Sequence, residues 1–595
     1  MNKHLRLLRE FLLQQGFAAI VVPSNDPHFS EYVSPRFKCR EWLTAFSGSA
    51  GTAVVALNTA GLFTDSRYFL QAVQQLENSG FELMKEGLPD SVSIAEYLKQ
   101  YVPSGTVVVD GSLYSVAAFN ALKKELEPLT LVAVADPFED VWPLRPSMPD
   151  SRVFEMPSEF AGATIAQKLQ ALTDKLKPAA DSIYLASDLS EVAWFLNLRG
   201  GDVAYTPVNV AHLIVDFDAK KIHLFITLKK IDDELSAQLE RQGVALHPYE
   251  DYEAQLAKIA AKKTAILTTS KTSVSTYNVV SKAAAAVVEE STINGFGALS
   301  QLKAKKNSCE VDGIRKAMLA DGVAWLRFWK WLEENVDSGS ATEFSVGKTI
   351  SDFRALHPDF LDDSFAPIVG YKGHGAIVHY SATEESSIAL GRDTFILIDT
   401  GGQYRYGTTD ITRTLHLGHP TAQEKTDYTL VLKGHLQLSA AKFPYGTRGA
   451  QLDMLARQPL MQHGLNYLHG TGHGVGHCLC VHEGPQSIRL NENPTLLEEG
   501  MLTSCEPGIY RANQYGIRIE NLVLTTLCEE NEFGRFLQFE PVTLCPFDVN
   551  AIDKSLLDPR DLDYFNAYHD KVYALLAPLL DEDEKAFLKK KTEHI

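Results

Sequence analysis

The stretch FILIDTGGQYRYGTTDITRTL, residues 395–415, constrains this chain more than any other. An apolar run ends in Asp399, a turn rich in Gly and Tyr follows, and a Thr-rich run carries Asp410. Two such runs around turn residues predict a β-hairpin. With the turn centred between Tyr404 and Arg405, Asp399 and Asp410 stand directly opposite each other on one face. FILI ahead of Asp399 predicts a buried strand, where two facing carboxylates repel each other and lose hydration. A divalent cation between them removes both penalties.

A second hairpin repeats the device. In LTSCEPGIYRANQYGIRIENLVL, Glu506 and Glu520 flank a polar stretch centred on Asn513, and their even separation puts both side chains on one face. Between the hairpins lies LHGTGHGVGHCLCVHEGP, residues 468–485. Its alternating glycines disfavour a helix, so His473 and His477 are not an i,i+4 zinc pair on a helix face. Four carboxylates and one imidazole suit two adjacent divalent metals, which together generate a hydroxide nucleophile and polarise a carbonyl. Oxygen-rich ligation favours Mn²⁺, with Zn²⁺ or Co²⁺ as alternatives.

The rest of the chain predicts what carries this site. At 595 residues it exceeds what one hydrophobic core supports, so several domains are expected. Residues 17–32 read as strand, turn and helix start, and residues 182–195 read the same way. A hairpin-like pair of apolar runs follows each, predicting two related α/β domains. The Pro-rich segment 136–152 is a linker, and a long amphipathic helix opens near residue 300 with Ile314, Met318, Val323, Leu326 and Trp329 at helical spacing. The expected domains are 1–150, 151–302 and 303–595, the last with a C-terminal extension from about 535. The aromatic segment 324–334, AWLRFWKWLEE, suits either core or interface.

The net charge of −19 argues against nucleic acid or an anionic membrane as a partner. Arg6, Arg9 and Glu10 interrupt the apolar residues of the N-terminus, so Leu5, Leu8, Phe11 and Leu12 predict an amphipathic helix and not a signal peptide. The C-terminus shows neither a lipidation cysteine nor an apolar anchor. Seven cysteines without a disulfide framework fit reduced thiols and a cytoplasmic protein, with Cys478 and Cys480 as packing residues.

Asp399, Asp410, His473, Glu506 and Glu520 occur in the order of the five metal ligands of the pita-bread metallopeptidases. The segments LHGTGHGVG, VHEGP, EPG and GIRIEN, with SGSAGTAVV and FTDSRYF near the N-terminus, resemble the aminopeptidase P group in its three-domain form. The resemblance implies an α/β (α+β) chain of two creatinase-N-like domains followed by a pita-bread catalytic domain. The activity it implies is hydrolysis of the bond between an N-terminal residue and a following proline. By the same resemblance Asp399 holds one metal, Asp410 and Glu520 bridge two, and His473 and Glu506 complete the other. His379, in GHGAIVHYSA, contacts substrate and shuttles protons, and His482, in VHEGP, binds the scissile carbonyl or the proline side. Glu506 relays a proton to the leaving nitrogen, Arg67 and His473 face substrate, and His469 and Arg518 orient ligands. A homodimer is also implied. His374 and His477 match no role in the family.

Two positions depart from the family pattern: Cys505 stands just before Glu506, and Ile509 replaces a tyrosine. A thiol beside the site predicts sensitivity to oxidation. Prolidase, which cuts dipeptides, is the nearest alternative activity, but prolidases carry one N-terminal domain. Methionyl aminopeptidases lack both, creatinases work without metal, and non-catalytic pita-bread binding modules have lost ligands that this chain retains.

Overall fold

The computed structural model describes residues 2–595. The N-terminal segment forms helix α1, Lys3–Gln15, which buries Leu5, Leu8 and Leu12 along one face. Asn2 caps it by accepting the His4 N–H, and Gly16 ends it at φ 71°, a conformation that favours glycine. Its apolar spacing therefore produces the element it predicts.

The internal repeat appears as two sheets of identical wiring. Strands β1 Ala19–Val22, β2 Thr52–Ala56, β3 Ala60–Thr64, β4 Glu82–Lys85, β5 Thr106–Asp110 and β6 Thr130–Val134 lie in the order β4-β3-β2-β1-β5-β6. Strands β7 Ser182–Ala186, β8 Ala211–Asp216, β9 Lys221–Ile226, β10 Val244–Pro248, β11 Thr264–Leu267 and β12 Ala286–Glu289 lie in the order β10-β9-β8-β7-β11-β12. In each sheet the first strand runs antiparallel to the second and parallel to the fifth. The central strands AIVV and SIYLA are buried along their whole length, as strands covered on both faces must be.

The described residues fall into two compact units. Met156–Thr164, Tyr205–Pro207 and Ser300–Ile595 make up the second, and the remainder, with both six-stranded sheets, makes up the first. In the second unit the helix Ser308–Asn335 starts with a capping box between Asn307 and Glu310. It buries Ile314, Met318, Leu326 and Trp329, while Val323 is half-buried. Trp325, Phe328, Trp329 and Leu332 belong to one apolar cluster with Ile396, Ile398 and Leu415, so segment 324–334 is core within its own unit.

Three antiparallel sheets position the site. Ile368–Tyr371, Phe395–Thr400 and Ile411–His416 form one. Leu502–Cys505 and Gly472–Gly474 lie side by side in a six-stranded sheet, and Gly508–Arg511 pairs with Tyr515–Arg518. The C-terminal helices Pro559–Leu576 and Glu582–Lys591 bury Phe565, Val572, Leu576 and Leu588 in the core that also holds Ile314 and Leu326. Among the described residues, no helix is long and apolar enough to cross a membrane.

Candidate metal centre

The first hairpin differs from its predicted register. Asp399 faces Thr412, and the ladder continues through Gln403 opposite Thr408 and Tyr404 opposite Gly407. The turn is therefore Arg405–Tyr406, one residue later than expected, and Asp410 lies two residues from the position opposite Asp399. A shift of two preserves the face, because side chains alternate with a period of two. The cause is visible at Tyr406, whose ring is fully buried against Phe160 and Tyr404, which fixes the turn where burial favours it. The second hairpin turns about Asn513, as its spacing predicts, with Gly508 opposite Arg518. On its other side Cys505 faces Asn521, so Glu506 and Glu520 meet across the ribbon.

These strands bring Asp410, His473 and Glu520 together, each offering a ligand atom within 4.8 Å of the other two. The His473 Nδ1 donates to the Gly474 carbonyl at 2.9 Å, which leaves the Nε2 lone pair toward the carboxylates. Nε2 is 3.4 Å from Asp410 Oδ2 and 3.6 Å from Glu506 Oε1. Ser504 Oγ holds the strand pair in place: it accepts the His473 N–H at 2.9 Å and donates to Glu506 Oε1 at 3.1 Å.

The remaining oxygens test whether cations fit. Asp399 Oδ1 and Glu520 Oε1 are buried without a hydrogen-bond partner, although their sister oxygens are satisfied. Arg518 Nη2 donates to Asp399 Oδ2 at 2.5 Å, and Thr412 Oγ1 donates to Glu520 Oε2 at 2.7 Å. A buried carboxylate oxygen without a donor is expensive, so these two fit ligands to a cation. The protein's own charges leave the cluster frustrated. Burial pushes Asp399 up to about 6, against the pull of Arg518 and with Asp410 adding to the rise. Glu520 is driven well above the usual carboxylate range by burial and then by Asp410, Glu506 and Asp399, and burial raises Glu506 as well. Burial and His482 lower the His473 imidazole, but its contacts with Asp410 and Glu506 outweigh them and raise it.

The other predicted residues separate. Arg518 is fully buried and, besides Asp399, donates Nε to Thr412 Oγ1 at 3.2 Å and Nη1 to the Tyr510 hydroxyl at 2.7 Å. His469 Nε2 lies 2.8 Å from the same hydroxyl, while its Nδ1 donates to the Gly470 carbonyl. That fixes the tautomer: Tyr510 donates to His469 and accepts from Arg518. Burial pushes the His469 imidazole down to about 3, which keeps it neutral. The exposed His482 ring packs edge-on against His473 at 4.4 Å. His379 is half-buried in the loop after Lys372–Ala376. Arg67 lies in the first unit, exposed, paired with Asp65 at 2.7 Å and set over the Tyr68 ring.

The expected reactivity of Cys505 is overturned. Its side chain is fully buried, and burial pushes the thiol up, so it stays protonated and unreactive. Cys478 packs with Met156 and Ala161, and none of the seven cysteines is joined in a disulfide.

Three residues that orient the site were missed by sequence reasoning: Tyr510, Thr412 and Arg413. The buried Arg413 donates to the Glu520 carbonyl at 2.6 Å, to Thr412 O at 3.0 Å and to Cys545 O at 2.7 Å. It thereby fixes the backbone at a ligand-type residue to the segment leading into the C-terminal helices. A buried Arg beside a strand Thr was the available signal, but its other partners lie more than a hundred residues away.

Comparison with known proteins comes to the same place. The family profile described as "Metallopeptidase family M24" matches residues 312–527, and "C-terminal region of peptidase_M24" matches 535–595. Two profiles described as "Creatinase/Prolidase N-terminal domain" match residues 4–141 and 144–310. Aminopeptidase P2 of Arabidopsis thaliana is 38% identical, over 95% of this chain and 84% of its own. A probable Xaa-Pro aminopeptidase P of Coprinopsis cinerea is 37% identical, over 100% and 98%. The crystal structure of X-prolyl aminopeptidase from Caenorhabditis elegans, described as a cytosolic enzyme with a di-nuclear active site, superposes with a TM-score of 0.89 at 32% identity. It covers 97% of this chain and 95% of its own.

Proposed function

The chain belongs to the Xaa-Pro aminopeptidase (aminopeptidase P) family of M24 metallopeptidases, and from that premise we propose that it removes the N-terminal residue of peptides whose second residue is proline. The observation that carries this reading is the convergence of Asp410, His473 and Glu520, with Asp399 and Glu520 each offering a buried, partnerless oxygen. Asp399, Asp410, His473, Glu506 and Glu520 would hold two divalent ions. Mn²⁺ is the ion an oxygen-rich set favours. Bound there, such ions would supply Lewis acidity for activating water and the scissile carbonyl.

The chain's own residues do the rest. Arg518 and Tyr510 fix Asp399, and Thr412 fixes Glu520. His482, exposed beside His473, contacts the carbonyl and the proline side, and His379 contacts the substrate from its loop. Glu506, held by Ser504, passes a proton to the departing proline nitrogen. Such an enzyme answers a chemical need, since the X-Pro bond is a tertiary amide without the N–H that other peptidases grip. Arg67 adds a substrate contact. The domains are 1–150, 151–302 and 303–595, with an extension from about 535, and the protein acts in the cytoplasm as a homodimer.

The test is to incubate the Mn²⁺-loaded protein with Arg-Pro-Pro, Gly-Pro and Met-Ala-Ser. Release of Arg from the tripeptide supports the proposal. Cleavage of Gly-Pro alone makes the protein a prolidase, and no cleavage makes it a binding module.

A further inference from the structure

His379 sits in the long connection, residues 372–394, between strands Ile368–Tyr371 and Phe395–Thr400. A connection of that length samples many conformations unless it is tied down. Several of its ties converge on one carboxylate. Glu343, in the first turn of helix Glu343–Ala355, is fully buried. Its Oε1 accepts the Tyr371 N–H at 2.7 Å, where the connection begins, and its Oε2 accepts the Ile388 N–H at 3.1 Å, near its end. The Tyr380 hydroxyl donates to Oε2 at 3.3 Å, and His374 Nδ1 lies 3.0 Å from both oxygens. The His374 ring stacks on Tyr380 with centroids 4.4 Å apart.

Both sequence neighbours of His379 are thus anchored. Tyr380 is bound to Glu343 and stacked on His374, while the Val378 carbonyl accepts from Arg518 Nη2 at 3.5 Å, the nitrogen that also holds Asp399. His374, whose side chain is 31% exposed, stands near the start of the connection and links Glu343 to Tyr380, the residue beside His379.

We propose that Glu343 and His374 are positioning residues that set the place of His379 for the reaction. The proposal rests on the reading that His379 contacts substrate. A displaced side chain at a reacting centre lowers the rate steeply, so loss of the clamp costs turnover and leaves the metal cluster intact.

The experiment compares kcat/KM for Arg-Pro-Pro in His374→Ala, His374→Gln, Glu343→Gln, His379→Ala and the double variant H374A/H379A, with metal content by mass spectrometry. H374A lowers kcat/KM about tenfold at unchanged metal content. H374Q, whose amide N–H again reaches Glu343, recovers to within about threefold of wild type. E343Q, which turns one acceptor oxygen into a donor, loses more than H374A. In the H379A background H374A costs less than about twofold, because the residue it acts through is gone. Full additivity in the double variant, or an unchanged H374A, overturns the proposal. H379A at wild-type activity removes the reading of His379 and the proposal with it, whereas a crippled H379A with additive losses removes the proposal alone.

Discussion

Arg518 Nη2 donates to Asp399 Oδ2 at 2.5 Å across 119 residues of sequence, while Asp399 Oδ1 remains buried and without a partner. One oxygen is oriented by a fixed positive charge so that the other presents itself to a cation. The guanidinium can do this because it also spans Thr412 and Tyr510, which its planar fork permits and an ammonium does not.

Arg518→Lys keeps the charge and loses that fork. The variant is expected to lose about 10- to 100-fold in metal affinity, as removal of an orienting partner does. Equilibrium dialysis against Mn²⁺ measures it. Wild-type affinity in the variant contradicts the role assigned to the guanidinium.

Chelation is expected to destabilise the second unit. Three buried carboxylates and the half-buried Glu506 repel one another without cations, which is why burial and mutual charge push Glu520 and Asp399 up. Metal bound only to the folded form at 100 times its Kd adds about 2.7 kcal/mol per site. Hydrogen exchange should therefore quicken in strands Phe395–Thr400 and Leu502–Cys505 on chelation and slow again when Mn²⁺ is restored. Exchange that ignores the metal removes the site.

Cys505→Ser is expected to change nothing under peroxide. The thiol is buried and held protonated, so oxidant reaches it no faster than it reaches a buried methyl group. Wild type and variant should lose activity at the same rate, and clear protection in C505S contradicts the structure.

Much of this site is legible in the chain because its chemistry forces local patterns. FILI before Asp399 announces a buried carboxylate, and the even spacing of Glu506 and Glu520 about Asn513 announces a shared face. The repeat is legible for a similar reason: SIYLA and AIVV are buried central strands, and their sequences are dominated by apolar residues. The register at Asp399 was not legible, because the turn is chosen by burial of Tyr406 and not by a turn dipeptide. Tyr510, Arg413 and Glu343 were hidden for a different reason. Each acts on the site through partners brought close only by folding, and none stands in a recognisable spacing. His374, which has no counterpart in the family pattern, shows its use only when Glu343 is seen beneath it.

Stability should fall with acid through His569. Its Nε2 accepts the Phe547 N–H at 3.1 Å, and burial pushes the imidazole down to about 4, so the fold holds it neutral. Unfolded histidine titrates near 6.5. Between 6.5 and about 4 the unfolded chain therefore binds more protons, and stability contributed above 6.5 is lost as pH falls, by up to about 3 kcal/mol. His569→Gln keeps an acceptor for Phe547 and cannot titrate. Its urea midpoint should drop less than that of wild type between pH 7 and pH 5, and equal drops exclude His569 as a source of the acid lability.

Tyr510→Phe isolates the hydroxyl that joins His469 to Arg518. The ring and its packing on His469 remain, with centroids 5.4 Å apart, so the fold is expected to stand. Two bonds are lost together, because the hydroxyl accepts from Arg518 at 2.7 Å and donates to His469 at 2.8 Å. A buried Arg N–H is left without that partner, at about 1–3 kcal/mol, and the half-buried imidazole nitrogen loses its donor. The guanidinium then relaxes toward whatever acceptor remains, and Asp399 turns with it. Activity on Arg-Pro-Pro should fall about tenfold with weakened metal retention, by analogy with other orienting partners of metal ligands. If Y510F instead retains metal and loses only stability, the hydroxyl is a packing bond, and Arg518 holds Asp399 unaided.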